Sequence, residues 1–164
     1  MKESVLGWTI EKATVSDAEE ILALQKLAYR SEAEIYHDFN IPPMVQTLEE
    51  IKKDFETQVY LKGVLAGRII GSVRAYAKEG TCYIGRLIVR PDFQNQGLGT
   101  KLMKEIEDTF KASLRFELFT GDQSEKNLYL YQKLGYRKFK VAPITDRTTI
   151  VFLEKEPSKP DGGH

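Results

Sequence analysis

Gln94-Asn95-Gln96-Gly97-Leu98-Gly99-Thr100 places two glycines one residue apart, with polar side chains on either flank. The segment follows a strand-like run, residues 83–89, and precedes a stretch patterned as an amphipathic helix. Glycines at a helix start let the backbone approach a ligand without Cβ interference. The free N–H groups there, with the positive end of the helix dipole, suit a bound phosphate. The chemistry expected is therefore the holding of a phosphate-bearing cofactor. A P-loop needs Gly-Lys-Ser/Thr, and here Thr100 precedes Lys101; a dinucleotide fingerprint needs a third glycine where Leu102 stands.

A second set of residues with chemical potential runs from Ser124 through Asn127, Tyr129 and Tyr131 to Gly135, which sits where a left-handed helix cap is needed. Together the two segments resemble the GNAT superfamily, the acetyl-CoA-dependent N-acetyltransferases. Gln94-x-x-Gly97-x-Gly99 is similar to the family's acyl-CoA pyrophosphate loop, and Leu130-Tyr131-x-Lys133-x-Gly135-Tyr136 to its Leu-Tyr-x-Lys-x-Gly-Phe/Tyr segment.

The resemblance implies acetyl transfer from acetyl-CoA to a primary amine by direct attack, with CoA as product and no acetyl-enzyme. It implies that Gln94, Asn95, Gln96, Gly97, Leu98, Gly99 and Thr100 hold the pyrophosphate. The backbone of Leu87, Ile88 and Val89 would pair with the pantetheine arm, helped by Ser124 and Asn127. Tyr131 would lie beside the cofactor sulfur as the general acid for the departing thiolate. Tyr129 is its rival, but two residues earlier on a helix it points to a different face. Other readings of the same fold are acetylation of a protein or peptide amino group, and a non-catalytic acyl-CoA-binding sensor.

Such a reaction needs a route for a proton, since an alkyl ammonium with a pKa of roughly 10.4 is not nucleophilic at neutral pH. The chain departs from the family here. Many members carry a glutamate on the fourth strand, but residues 81–89 contain no carboxylate, and Arg86 is their one charged residue. The proton would leave through water, Glu34 or His37. Where many members have a pantetheine-binding asparagine this chain has Ser124, whose alternative role is a helix N-cap. By the resemblance the acceptor site lies between residues 29–43 and 140–149. Glu32, Glu34 and Asp38 with Tyr29, Tyr36 and Phe39 would give an acidic, aromatic mouth suited to a cationic amine.

The elements that must position these groups follow from pattern. The spacing predicts a strand over 9–13, a helix opened by a Ser16-x-x-Glu19 capping box, and a break at Pro42-Pro43. A second helix opens with Thr47-x-x-Glu50. Strands are expected over 58–64, 68–77 and 81–89, then a helix with Leu98, Leu102, Met103, Ile106 and Phe110 on its core stripe. A strand over 114–120, the Tyr131 helix, and a hairpin of 137–141 with 148–153 around Pro143 complete the order. That order implies an α/β (α+β type) GNAT fold: a mixed, mostly antiparallel seven-stranded sheet, splayed between strands 4 and 5 and flanked by about four helices.

A chain of 164 residues, 41% hydrophobic and 29% charged, fits one globular domain, expected over 1–156, with a disordered tail at 157–164. Lys+Arg 24 balance Asp+Glu 24, so nothing global draws the chain to nucleic acid or an anionic membrane. No metal site is expected, and the amino terminus lacks a signal peptide's apolar run. Cys82 is the lone cysteine, so an intrachain disulfide is excluded and a reducing cytoplasm is the expected home. It reads as a buried hydrophobe and not a nucleophile. A homodimer is common in the family, though no apolar stripe marks an interface.

Overall fold

A computed structural model describes residues 7–157. Seven strands form one sheet in the order β1-β2-β3-β4-β5-β7-β6. They are β1 (Thr9–Lys12), β2 (Val59–Leu65), β3 (Arg68–Lys78), β4 (Thr81–Val89), β5 (Arg115–Gly121), β6 (Arg137–Pro143) and β7 (Thr149–Lys155). The helices are α1 (Ala18–Tyr36), the single turn α2 (Pro42–Val45), α3 (Leu48–Thr57), α4 (Leu98–Thr109) and α5 (Glu125–Lys133).

Every strand pairing is antiparallel except β4 with β5, which α4 connects. That parallel pair is short. Thr81, Cys82 and Tyr83 pair with Arg115, Phe116 and Glu117, and there the ladder stops, although β4 runs on to Val89 and β5 to Gly121. From Ile84 onward the edge of β4 facing β5 has no strand partner, and the sheet opens into a V.

Two cores hold the halves of the sheet. On one face, Leu98, Leu102, Met103 and Ile106 of α4 pack on Val73, Ala75, Cys82, Ile84, Phe116 and Leu118. On the other, Ile21 and Leu24 of α1 and Ile51 of α3 pack on Tyr60, Ile69 and Ile88. These helices form where an apolar stripe recurs every three or four residues; burying each large side chain contributes roughly 2 kcal/mol. Gly71 lets α4 lie close, because a Cβ there would stand 2.9 Å from Leu98 Cδ2 and 3.1 Å from the Ile88 carbonyl oxygen.

A β-bulge in β4 decides what faces the V. Ser72 of β3 pairs with Ile88 and Arg74 with Gly85, so Arg86 and Leu87 stand opposite Val73 alone. Arg86 carries the extra residue in a left-handed conformation, φ 51°. The bulge shifts the alternation of side chains: Ile84 packs in the α4 core, while Ile88, four residues on, packs in the α1 core. In an unbroken strand the two would share a face.

The expected strands and their order are present, with bounds moved by one or two residues. The first helix opens differently from expectation. A 3-10 turn over Val15–Asp17 precedes it, so the chain already coils at Ser16 and the cap falls on Thr14. Asp17 accepts the Thr14 N–H at 2.9 Å, and the Thr14 and Ser16 hydroxyls pair at 2.8 Å. The Thr47/Glu50 capping box is as expected, with bonds of 2.8 and 3.2 Å. Pro42-Pro43, expected as a break, begins α2, since proline's fixed φ suits the first helical position. The expected tail lies, from residue 158 onward, outside the described residues. No helix of the described residues is long and apolar enough to cross a membrane.

Candidate active site

Two cavities meet in the V. A groove of about 930 Å³ runs from the N-terminus of α4 between β4 and α5 toward α1. A smaller cavity of about 320 Å³ lies beyond it, under α1, α2 and the β6–β7 loop. Tyr29, Glu32, Leu87 and Asn127 line both, so the two join at those side chains.

The groove gathers most of the residues expected to hold a cofactor. Leu87, Ile88, Val89, Gln94, Asn95, Gly97, Leu98, Gly99, Thr100, Ser124 and Asn127 all line it. Gln96 is exposed and lines neither cavity. Gly97 is the N-cap of α4 with φ 87° and no side chain to offer, and the first helical bond is Lys101 N–H to Gly97 O at 3.0 Å. The N–H groups of Leu98, Gly99 and Thr100 therefore have no intrahelical acceptor, and they open onto the groove. Leu98 contributes backbone alone, since its side chain is fully buried. Gln94 has a tethering role: its Nε2 donates to the Val89 carbonyl at 3.3 Å, fixing the loop to the end of β4.

Tyr131 and Tyr129 part company, as their spacing implies. Tyr129 is 69% exposed, whereas Tyr131 is 6% exposed and lines the smaller cavity. The Tyr131 ring packs edge-on against Tyr136, with centroids 6.1 Å apart. Burial, with Tyr29 and Glu32 nearby, holds its phenol well above the ordinary value.

Ser124 heads α5 but caps no helix N–H with its side chain. Its hydroxyl instead donates to Glu32 Oε1 on α1. Burial raises the Glu32 carboxyl above the usual glutamate value, and the Ser124 hydrogen bond pulls against that rise. Asn127, one turn along, donates from Nδ2 to Thr120 Oγ1 at 3.2 Å.

The other residues expected at the acceptor end divide. Tyr29 and Tyr36 line the smaller cavity. Tyr36 donates to Asp122 Oδ1 at 2.8 Å and accepts the Gln123 N–H at 2.6 Å, tying α1 to the β5–α5 loop. Glu34 lines the groove on an exposed face of α1. His37 ends α1 in a left-handed conformation, exposed and outside both cavities, and its carbonyl accepts Arg147 Nη1 at 2.6 Å.

Of the acidic, aromatic mouth expected for a cationic amine, Tyr29, Glu32 and Tyr36 line the smaller cavity and Glu34 the groove, while Asp38 and Phe39 line neither. Asp38 is taken up by the Thr145 and Thr148 hydroxyls and the Asn40 N–H, which hold its carboxyl below the usual range. Phe39 is half exposed and lines neither cavity. The charged side chains that line the smaller cavity are Glu32, Arg74 and Arg86. Sequence reasoning passed over Glu32 as a proton acceptor and both arginines as site residues. The spacing of Tyr29, Glu32 and Tyr36 at i, i+3 and i+7 could have marked one inward face; nothing in the sequence marks the bulge that turns Arg86 inward.

The acetyltransferase (GNAT) family model matches residues 19–136. The chain is 30% identical over 129 residues to the UPF0157 protein YqkA of Bacillus subtilis; the match takes in 78% of this chain but spans 36% of that protein's length. Among solved structures, the ribosomal-protein-S18-alanine N-acetyltransferase of Escherichia coli superposes with TM-score 0.76 at 17% identity, over 93% of this chain and 96% of that one. Salmonella typhimurium YncA, solved with its cofactor acetyl-CoA, superposes with TM-score 0.73 at 16% identity, over 96% and 98%. The family match runs from the start of α1 through the residue that follows Gly135, taking in the open β4 edge, the Gly97 loop and Tyr131, and by it the chain belongs to the GNAT family of acetyltransferases.

Proposed function

We propose that the chain is an acetyl-CoA-dependent N-acetyltransferase acting on the primary amine of a small acceptor. The observation that carries this is the junction of groove and cavity, where the open β4 edge, the buried Tyr131 phenol and the Glu32 carboxyl come together. The groove fits the cofactor. Uncapped N–H groups at the start of α4 suit a pyrophosphate, and β4 backbone without a strand partner suits an amide-bearing arm. Ser124 and Asn127 flank that arm's path on the α5 side. When bound, acetyl-CoA supplies an acetyl group activated as a thioester.

The protein's own task is then to move two protons and to exclude water. Glu32 is the proton acceptor for the amine nitrogen. Its raised pKa makes it a stronger base than a free glutamate, and Ser124 engages Oε1, leaving Oε2 for the acceptor. Tyr131 Oη is neutral throughout the working pH range, so it carries a proton for the departing thiolate. Backbone N–H groups of the Leu87–Val89 segment are the donors for oxyanion charge. A cavity of about 320 Å³ suits a small molecule better than a folded polypeptide.

Thermal unfolding with acetyl-CoA, CoA and NAD, followed by thiol release over an amine panel, tests the reading. A melting-temperature rise with the CoA species and none with NAD is expected, with turnover lost in Tyr131→Phe. No shift with either CoA species at saturation would overturn the cofactor assignment. A shift with no thiol release on any amine would favour a non-catalytic acyl-CoA sensor.

A further inference from the structure

The smaller cavity is floored by two guanidinium groups whose circumstances differ. Arg74 is satisfied: its Nη1 pairs with Asp54 Oδ2 at 2.6 Å and reaches the Tyr60 hydroxyl at 3.1 Å. That same Asp54 oxygen also accepts Gln46 Nε2 at 2.7 Å, so the one carboxylate on this side is occupied. Arg86 has no such partner. Its Nε is buried without a hydrogen bond, and no ion pair among the described residues includes it. Burial, with the positive charge of Arg74 adding to it, pushes the guanidinium pKa down, though Tyr29 and Asp54 oppose the shift.

A half-buried arginine whose Nε is buried and unpaired is costly, and it sits on a costly backbone. Arg86 occupies φ 51° at the bulge, a region disfavoured for a residue with a Cβ. Desolvating a charge without a partner is ordinarily unfavourable. Both costs are met at one residue that lines the cavity of the proposed acceptor site. Glu32, the cavity's other charged side chain outside the Arg74–Asp54 pair, is the proposed base for the amine. A guanidinium and a carboxylate lining one cavity match the two charges of a zwitterion.

We propose that the acceptor is a small amine that also carries an oxyanion, a carboxylate or a phosphate, and that Arg86 binds this oxyanion as a specificity-determining residue. The guanidinium fork presents parallel N–H donors that planar carboxylates and phosphate edges accept two at a time. Bound there, the oxyanion satisfies Nε and leaves the amine at the Glu32 end of the cavity. This inference rests on the acetyltransferase reading for its amine but not for its anion.

The test uses matched pairs: β-alanine against 3-aminopropanamide, and O-phosphoethanolamine against ethanolamine. Melting temperatures are measured first with each compound alone, then thiol release with acetyl-CoA. At least one anionic member is expected to raise the melting temperature more than its neutral mate, and to be acetylated with kcat/KM at least about tenfold higher. Which pair shows the preference separates carboxylate from phosphate.

Arg86→Gln should abolish the preference by raising KM for the anionic compound at least about tenfold more than for its uncharged-tail mate. Arg86→Gly is the second variant, since glycine accepts a positive φ and the backbone is relieved by it. Equal effects of both members of each pair on wild-type protein would overturn the inference, as would equal losses for both in the variants. Absence of any acetyl-CoA shift would sink the acetyltransferase reading, while the anion titration without acetyl-CoA still decides this one.

Discussion

The hydroxyl of Ser124 donates to the carboxylate of Glu32 across 92 residues of sequence, joining the start of α5 to the C-terminal part of α1 over the mouth of the V. It puts the proposed base and the cofactor groove in one hydrogen-bonded unit. Burial raises the Glu32 pKa and this bond partly offsets the rise, so with Glu32 as the proposed base both bear on the acid limb of the pH profile. Activity should fall on acidification at a pH above the ordinary glutamate value of roughly 4.3. Ser124→Ala, which removes the lowering contact, should move that limb still higher. The measurement is kcat against pH for both proteins; a limb that stays in place in the variant would separate Glu32 from proton transfer.

The same shift has a stability consequence of determined sign. A carboxyl whose folded pKa is raised binds its proton more tightly in the native state than in the unfolded one. Its contribution is therefore fully present below the unfolded pKa and declines as pH rises through the folded value. Glu32→Gln mimics the protonated form. It should melt higher than wild type at neutral pH and lose that advantage in acid, while kcat at neutral pH drops about 10²–10⁴-fold. A variant that melts lower at neutral pH would show the carboxylate to be stabilising there.

Tyr131→Phe keeps the ring that packs on Tyr136 and removes the hydroxyl of a residue that lines the cavity. Stability should change by less than about 1 kcal/mol, with kcat reduced about 10²-fold or more and KM for acetyl-CoA little altered. Tyr129→Phe, exposed on the groove wall and keeping its ring, is the control and should leave kcat unchanged. Equal effects of the two substitutions would remove Tyr131 from the chemistry.

The two loop glycines should respond in opposite ways. Gly97 sits at φ 87°, so Gly97→Ala should cost roughly 1–2 kcal/mol of stability through backbone strain alone. Gly99 has ordinary helical room: a Cβ there would lie 3.7 Å from Leu130 Cδ2 and 3.8 Å from Val89 Cγ2. Gly99→Ala should therefore fold well, gaining up to roughly 1 kcal/mol from lost chain entropy, yet bind acetyl-CoA more weakly, because the methyl stands in the groove. Calorimetric unfolding and cofactor titration of both variants distinguish strain from contact. Undiminished affinity in Gly99→Ala would place the pyrophosphate elsewhere.

Much of this was legible in the sequence because it is written in periodicity and in backbone exceptions. The α4 stripe, the Thr47 cap, Gly97 and the Tyr131 segment each impose a local constraint that a residue type reveals. At the acceptor end Tyr29 and Tyr36 were legible, but the roles of the charges were not, for a physical reason. Arg86 reaches the cavity because one extra residue in β4 shifts the side-chain alternation, and that insertion exists only in the register against β3. Asp38, by contrast, looked free in sequence and is engaged by Thr145 and Thr148, more than one hundred residues downstream. Charges gain their meaning from partners distant in sequence, and composition does not disclose those.

Cys82 offers a separate gauge of cofactor binding. Its side chain is fully buried in the α4 core, and burial pushes its thiol up to about 12, so the thiolate is scarce at neutral pH. Labelling by a disulfide reagent must then wait for the core to open. The protein should give almost no background in a thiol-release assay while folded, and full labelling in denaturant. Acetyl-CoA that binds only the native state lowers the open population by the factor 1 + [L]/Kd, so labelling at 100 times Kd should slow about 100-fold. Rapid labelling of the native protein, at the rate of an exposed thiol, would mean that β4 opens locally at Cys82, next to the place where its ladder with β5 ends.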